Sequence, residues 1–241
     1  HTIAFLFCAQ IIAQAQFGWN PNPMVLTTLL FVLGCQQALV ANKHRGWWLV
    51  GLSLGASINF HYSGLGLLAG LGALFILFWP KIKKQLGAFS VGLLLLGGLL
   101  LPLLIFDLRH YFITITNIWR YLRMGTGGEI PPPPFWSGLW EKHTLLIGLV
   151  FPFSRKFVSF LAIVWLVIVA RLVYGENKNS RLGLITISSV VYLAGLVFAS
   201  FYRGSFFLFY LTFLYPLPFL ITGLVCQRVG KVGRLTIVVL V

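Results

Sequence analysis

Acidic side chains are nearly missing. Of 241 residues only four are Asp or Glu, against 18 Lys and Arg, and charged residues of every kind make up 9%. A water-soluble domain carries about 25% charged and about 45–50% apolar residues. With 59% hydrophobic residues and a mean hydropathy of +0.91, this chain has too little polar surface to coat a soluble fold. It reads as an integral membrane protein. The shortage also narrows the chemistry, because any role for a carboxylate falls on Asp107, Glu129, Glu141 or Glu176, or outside the chain. Cysteine is equally sparse. Cys8, Cys35 and Cys226 lie in or at the end of apolar segments with neither metal spacing nor a disulfide framework, as small buried hydrophobes do. The first residue is His1 and not Met, and no signal peptide is expected within this stretch. Both ends fall inside apolar runs, Ile3–Phe7 and Leu235–Val241, which is expected of a fragment of a longer protein.

Basic charge is what the chain has in excess, with a formal net charge of +14. In a soluble protein such an excess suggests nucleic acid. Here the bases form short clusters between apolar runs, so membrane orientation explains them and no nucleic-acid partner is expected. A spanning helix needs about 20 mostly apolar residues. Candidate spans fall at 1–17, 24–41, 85–106, 157–172, 182–200 and 206–224, with another from 235. The stretch 46–80 is long for one helix and short for two. Lys43 and Arg45 precede it, and Lys81, Lys83 and Lys84 follow it; if both clusters are cytoplasmic, the chain crosses twice between them, turning near Asn59–Gly64. The expected fold is therefore all-α: a polytopic transmembrane helical bundle of about eight membrane helices, forming one domain over 1–241. Within it, 106–156 is expected to be an external loop. This loop holds Gly125–Gly128, Pro131–Pro134 and a run, Thr144–Phe153, too short to span, which suggests an interfacial or re-entrant helix.

That topology gathers the unusual polar residues at the outer ends of helices. Trp19-Asn20-Pro21-Asn22-Pro23 joins the first two spans. Asn59, His61 and Tyr62 sit at the turn of the helical pair. Asp107, Arg109 and His110 end a later span, Arg120 and Arg123 follow it three residues apart, and Tyr202 and Arg203 cap another. Each has a plainer role open to it. Asn-Pro-Asn-Pro makes turns and helix caps, a lone His is often a packing residue, and Asp107 and Arg109 can pair with each other. Their convergence on one side points instead to an anionic ligand. Arg and His donors suit phosphate, and Trp19, Tyr62, Trp119, Tyr121 and Trp136 can stack on sugar faces or form an interfacial belt.

At these residues the chain resembles a family. Trp19-Asn20-Pro21-Asn22-Pro23, Phe60-His61-Tyr62, Pro102-Leu103-Leu104-Ile105-Phe106-Asp107-Leu108-Arg109-His110 and Tyr215-Pro216-Leu217-Pro218-Phe219 are together similar to bacterial GT-C glycosyltransferases. These are the polytopic enzymes of the glycosyltransferase family 39 type, related to dolichyl-phosphate-mannose protein mannosyltransferases and to the aminoarabinose transferase of lipid A. The resemblance runs over most of 15–225. It implies an inverting enzyme of the outer face of the cytoplasmic membrane. Such an enzyme takes a sugar from a polyprenyl-phosphate donor to a protein, lipid or glycan acceptor, with the lipid-linked sugar as substrate and no cofactor implied. The family's acidic base belongs to an external loop upstream of this chain, so no catalytic residue is assigned here, and Asp107 is not promoted to that role. The substrate-binding set carried over is Asn20, Asn22, His61, Tyr62, Asp107, Arg109, His110, Arg120, Arg123, Tyr202 and Arg203, with Arg109, His110, His61 and Arg203 stabilising the phosphate leaving group. Relatives often carry a His before the Tyr of the last core helix, where this chain has Phe209 before Tyr210. A lipid-linked oligosaccharide ligase or polymerase, and a transporter or flippase of an anionic lipid or solute, are the alternatives. A transporter would place polar residues at mid-span, where this sequence offers Gln10, Gln14, Gln36 and Gln37.

Overall fold

The computed structural model describes residues 20–124, 134–178, 183–202 and 207–228, together with Cys8, 11–13 and Gln16; the side chains of 121–124 and 177–178 lie outside the described set. The described residues are helical and contain no strand. In chain order the helices are α1 (Met24–Leu39), α2 (Arg45–Phe60), α3 (Leu65–Leu77), α4 (Trp79–Lys83), α5 (Leu86–Arg109), α6 (Ile113–Met124), α7 (Phe135–Val150), α8 (Arg155–Lys178), α9 (Leu184–Ser200) and α10 (Pro216–Arg228). Two 3₁₀ segments interrupt them, Tyr62–Gly64 before α3 and Leu208–Leu214 before α10.

The helices approach closely where glycine removes the side chain. α1 packs on α2 through Gly34 and Gly46, and α2 packs on α5 through Gly51 and Gly92; a Cβ on Gly51 would run into the Gly92 carbonyl. Small residues of this kind let apolar helices gain van der Waals contact that longer side chains would prevent. α9 lies at the centre, touching α3, α7, α8, α10 and α1. The ring of Phe213 is seated over Gly66 of α3 and Gly195 of α9, and Thr28 Oγ1 donates to the Phe213 carbonyl at 2.8 Å, tying the second 3₁₀ segment to α1.

These contacts also sort the ends of the bundle. Lys81 Nζ reaches the Leu39 carbonyl at 3.4 Å and Gln85 Nε2 the Ala38 carbonyl at 2.9 Å, so the clusters at 43–45 and 81–84 share one end. α3 and α9 run antiparallel, Gly70 against Val191 and Gly66 and Gly195 under one ring, so the start of α9 lies at that same basic end. There the Glu176 carboxylate accepts from Arg228 Nη2 at 2.6 Å and from Thr186 Oγ1 at 2.6 Å, binding α8, α9 and α10 together. α5 runs parallel to α2, with Gly92 beside Trp47 and Leu99 beside Asn59, so Asp107, Arg109 and His110 lie at the opposite end, with His61.

The two short helices expected in 46–80 are present as α2 and α3, broken at His61, but α2 packs mainly on α1 and α5 and α3 on α9 rather than on each other. The count of about eight membrane helices is not reached. Among the described residues two helices are long and apolar enough to cross, Leu86–Arg109 and Arg155–Glu176; a third is added if Leu208–Leu214 and Pro216–Arg228, bent by 43°, act as one span. The reason is length. Met24–Leu39, Tyr62–Leu77 and Leu184–Ser200 are apolar but have 10–17 residues, and a 16-residue helix rises about 24 Å against a hydrocarbon core of about 30 Å. The candidate spans at 1–17 and from 235 lie outside the described residues, save Cys8, 11–13 and Gln16.

The stretch 106–156, expected as an external loop with one interfacial or re-entrant helix, contains two helices, α6 and α7. The anticipated short helix at Thr144–Phe153 begins nine residues earlier, at Phe135, and ends at Val150. It does not traverse the bundle: Phe135 stacks near Phe201 just beyond α9, while Gly148 touches Val158 near the start of α8. Both ends of α7 therefore lie at the His61 end.

Candidate functional site

Four chain segments meet at that end. α2 stops at Phe60 because His61 turns to extended backbone (φ −163°, ψ 142°), and the His61 Nδ1 accepts from the Ser63 amide at 3.1 Å, closing the first 3₁₀ segment. The Ser63 hydroxyl contacts the sulfur of Met24 at 3.7 Å, which sets the Asn20–Pro23 turn beside it. The His61 ring lies 5.5 Å from that of Tyr210 and 6.1 Å from that of Phe209, and Tyr210 in turn meets Tyr202 at 5.2 Å. Phe207 stacks on Phe209 at 5.5 Å. The outcome is one half-buried imidazole framed by tyrosines and phenylalanines.

Its proton has a fixed place. A ring nitrogen that accepts a backbone N–H carries no proton, so neutral His61 holds its proton on Nε2 and is a donor there. Burial pushes the His61 imidazole below its ordinary value, which favours this neutral form. Asn59 lies two residues back on α2, donating to the Gly55 carbonyl at 2.9 Å and to the carbonyl of Leu99, which stands three residues before Pro102 of α5, at 2.9 Å. Pro102 has no N–H to give the helix, and Asn59 supplies a donor to a neighbouring carbonyl.

The sequence-derived residues divide into two groups. The structure brings His61, Tyr62, Tyr202 and the Asn20–Asn22 turn together. α1 takes Pro23 at its cap position, directly after Asn22. Asp107, Arg109, His110 and Arg120 form the second group at the end of α5. Leu99, beside Asn59, is eight residues before Asp107, about 12 Å along the helix. Asp107 is no ligand-facing carboxylate. It is 2% exposed, and its oxygens accept from the Thr114 amide at 2.8 Å and the Ile115 amide at 3.1 Å, capping α6. The alternative ion pair with Arg109 does not form; among the described residues the ion pair is Arg228–Glu176. His110 stacks on Phe106 at 4.1 Å, its Nδ1 2.7 Å from the Phe106 carbonyl, and Arg109 and Arg120 are exposed. Arg203, the Arg123 side chain and Trp19 lie outside the described set.

A third constellation escaped sequence reasoning. His143 on α7 is 1% exposed, with Nδ1 2.7 Å from the Tyr192 hydroxyl and Nε2 3.4 Å from the Ala162 carbonyl. Trp165 stands over both rings and donates to Thr222 Oγ1 at 2.9 Å. Lys142 and Thr144 are buried on either side of His143. Burial holds the His143 imidazole below its ordinary value, against the opposing pull of the Ala162 carbonyl. The signal available was Glu141-Lys142-His143-Thr144 at the head of an apolar run, which reads as a surface edge until helices from both sides close over it. Among the described residues no group of three His, Cys, Asp or Glu side chains is placed to hold a metal ion.

No family model, no curated protein and no solved structure matches this chain. The fold itself defines an all-helical chain with helices long and apolar enough to cross a membrane.

Proposed function

We propose that this chain is the membrane-embedded part of a glycosyltransferase that takes a sugar from a polyprenyl-phosphate donor on the outer face of the cytoplasmic membrane. The supporting observation is the meeting of His61, Tyr62, Tyr202 and Tyr210 at the end of the bundle opposite the basic clusters. Lysine and arginine in short loops orient membrane helices with the basic ends inside, which turns the His61 end outward. The resemblance at Trp19–Pro23, Phe60–Tyr62 and Pro102–His110 agrees with this reading, as does an imidazole beside Tyr210 although position 209 is Phe. In this arrangement the Nε2–H of His61 donates to a donor oxygen and the tyrosine rings cover a sugar face. Arg109 and Arg120, with Arg123 and Arg203, neutralise the phosphate leaving group. The base that deprotonates the acceptor belongs to the upstream segment. About eight spans, counting those before Asn20 and after Arg228, complete this proposed arrangement.

The test uses the full-length protein and a radiolabelled polyprenyl-phosphate monosaccharide. His61→Asn and Arg109→Ala are each expected to lower sugar transfer at least tenfold while leaving the yield of folded protein unchanged. Unaltered transfer, or transfer and folded yield falling together, overturns the assignment.

One observation favours the transporter reading. Ionisable groups buried in a membrane bundle often line ion or substrate paths, and His143 with Tyr192 is such a pair. In proteoliposomes loaded with an anionic lipid or solute, His143→Phe would abolish flux if that reading holds and leave sugar transfer intact.

A further inference from the structure

α6 departs from every other helix in its pattern. Ile115, Ile118 and Trp119 recur at helical spacing on one side, while Thr116, Asn117 and Arg120 occupy the other, and the sequence repeats both rows once more at Leu122 and Arg123. Ile115 and Trp119 are each 55% exposed, and α6 packs on α5. The corner that starts it is firmly built. The Asp107 carboxylate accepts two amides of the first turn, the Asp107 carbonyl accepts from Phe112 at 2.7 Å, and Tyr111 and Phe112 adopt positive φ of 54° and 59°. That corner presents Tyr111 at 93% exposure. α5, directly before it, is long and apolar enough to cross a membrane. Between Leu86 and Met124 the one acid is Asp107, already bonded to amides, and the bases are Arg109, Arg120 and Arg123.

We propose that α6 lies flat in the headgroup layer of the bilayer, with its Ile115–Ile118–Trp119 row at the acyl boundary and its Arg120 side against anionic lipid phosphates. A helix leaving the end of a span with an apolar row, a basic row and aromatic residues at its corner has the composition of an interfacial helix rather than a spanning or protein-packed one. Its charge is complementary to phosphate, and its continuity with α5 sets it at the membrane boundary. This adds Ile113–Met124 to the interfacial or re-entrant helix expected at Thr144–Phe153. The assignment shares Arg120 with the phosphate site proposed above, but its test reads membrane placement and not sugar transfer, so the two can fail separately.

The test uses the whole chain with Cys8, Cys35 and Cys226 replaced by Ala, and single cysteines introduced as Ile115→Cys, Trp119→Cys, Thr116→Cys and Asn117→Cys. Each is labelled with a polarity-sensitive fluorophore and reconstituted into phosphatidylglycerol or phosphatidylcholine vesicles containing lipids brominated near the carbonyl. Positions 115 and 119 are expected to be blue-shifted and quenched at least threefold more than 116 and 117. Arg120→Gln is expected to weaken that quenching in phosphatidylglycerol at low salt and leave it unchanged in phosphatidylcholine. Equal quenching at all four positions, or none, overturns the placement. A blue shift at 115 and 119 that persists in detergent, with disulfide-linked dimers formed by the unlabelled 115 and 119 cysteine variants under an added oxidant, assigns the row to a second copy of the chain and likewise overturns it. An unaltered response in the Arg120→Gln variant overturns the contact with anionic phosphate.

Discussion

His61 and Asp107 show how far a side chain's immediate bonds decide its role. Protonating His61 would add a proton at Nδ1, where the Ser63 amide already donates, and would place a cation in half-buried surroundings. Its folded pKa lies below the unfolded one, so the unfolded state binds more protons and stability falls as pH drops below about 6.5. Thermal melts in detergent between pH 7 and 5 are expected to fall less for His61→Asn than for the parent; equal falls would place the effect elsewhere. Asp107 acts through amides. Asp107→Ala is expected to cost about 1–2 kcal/mol, read as a lower melting temperature together with faster amide exchange in α6 than in α5. Asp107 also marks a limit of legibility. An Asp-x-Arg at a helix end reads as an ion pair or a phosphate site. Its use as a cap depends on the chain turning back within four residues, which the positive φ values of Tyr111 and Phe112 accomplish.

Among the elements, those bounded by glycine, proline or basic clusters were legible. The span expected at 24–41 is α1 at Met24–Leu39, that at 85–106 is α5 at Leu86–Arg109, and that at 182–200 is α9 at Leu184–Ser200. Apolar runs between charges leave little else for the backbone to do in a low-dielectric surrounding, where its amides must bond internally. α6 and α7 were hidden for opposite reasons. α6 lacks a long apolar run because it is two-faced, and α7 breaks its run with Lys142, His143 and Thr144, which are buried only because α8 and α9 close over them. The seam between α2 and α5 gives a sharp test. In Gly92→Ala the new methyl meets the Trp47 carbonyl, a backbone group that cannot swing aside; a loss of about 1–3 kcal/mol or more is expected from such overpacking. Gly97→Ala, on the same helix with nothing within 4 Å, is expected to be neutral or stabilising by about 0.5–1 kcal/mol. Melting temperatures of the two variants in one detergent should separate in opposite directions.

Across the whole molecule the two ends are built differently. At the basic end side chains bond to backbone and to each other: Lys81 and Gln85 to α1, Trp47 Nε1 to Gln85 Oε1 at 3.2 Å, and Arg228 and Thr186 to Glu176. Arg228→Ala leaves a buried carboxylate short of its cation and is expected to cost on the order of 2 kcal/mol, less than a fully buried pair because the Arg228 side chain is 51% exposed. Glu176→Gln, which removes the charge itself, is expected to cost less; unfolding midpoints that rank the other way would contradict this. The division of ends was legible from the basic clusters alone. The composition of the other end was not, since the approach of Phe207–Tyr210 to His61 depends on a 3₁₀ segment with no charge or glycine to announce it.

The contrast in fastening carries a mechanical consequence. Ring-to-ring contacts among His61, Phe209, Tyr210 and Tyr202 hold one end, whereas hydrogen bonds and an ion pair hold the basic end. Local opening is therefore expected to differ between the two ends, read as faster amide exchange around Tyr202 and Phe207–Tyr210 than around Thr186 and Glu176.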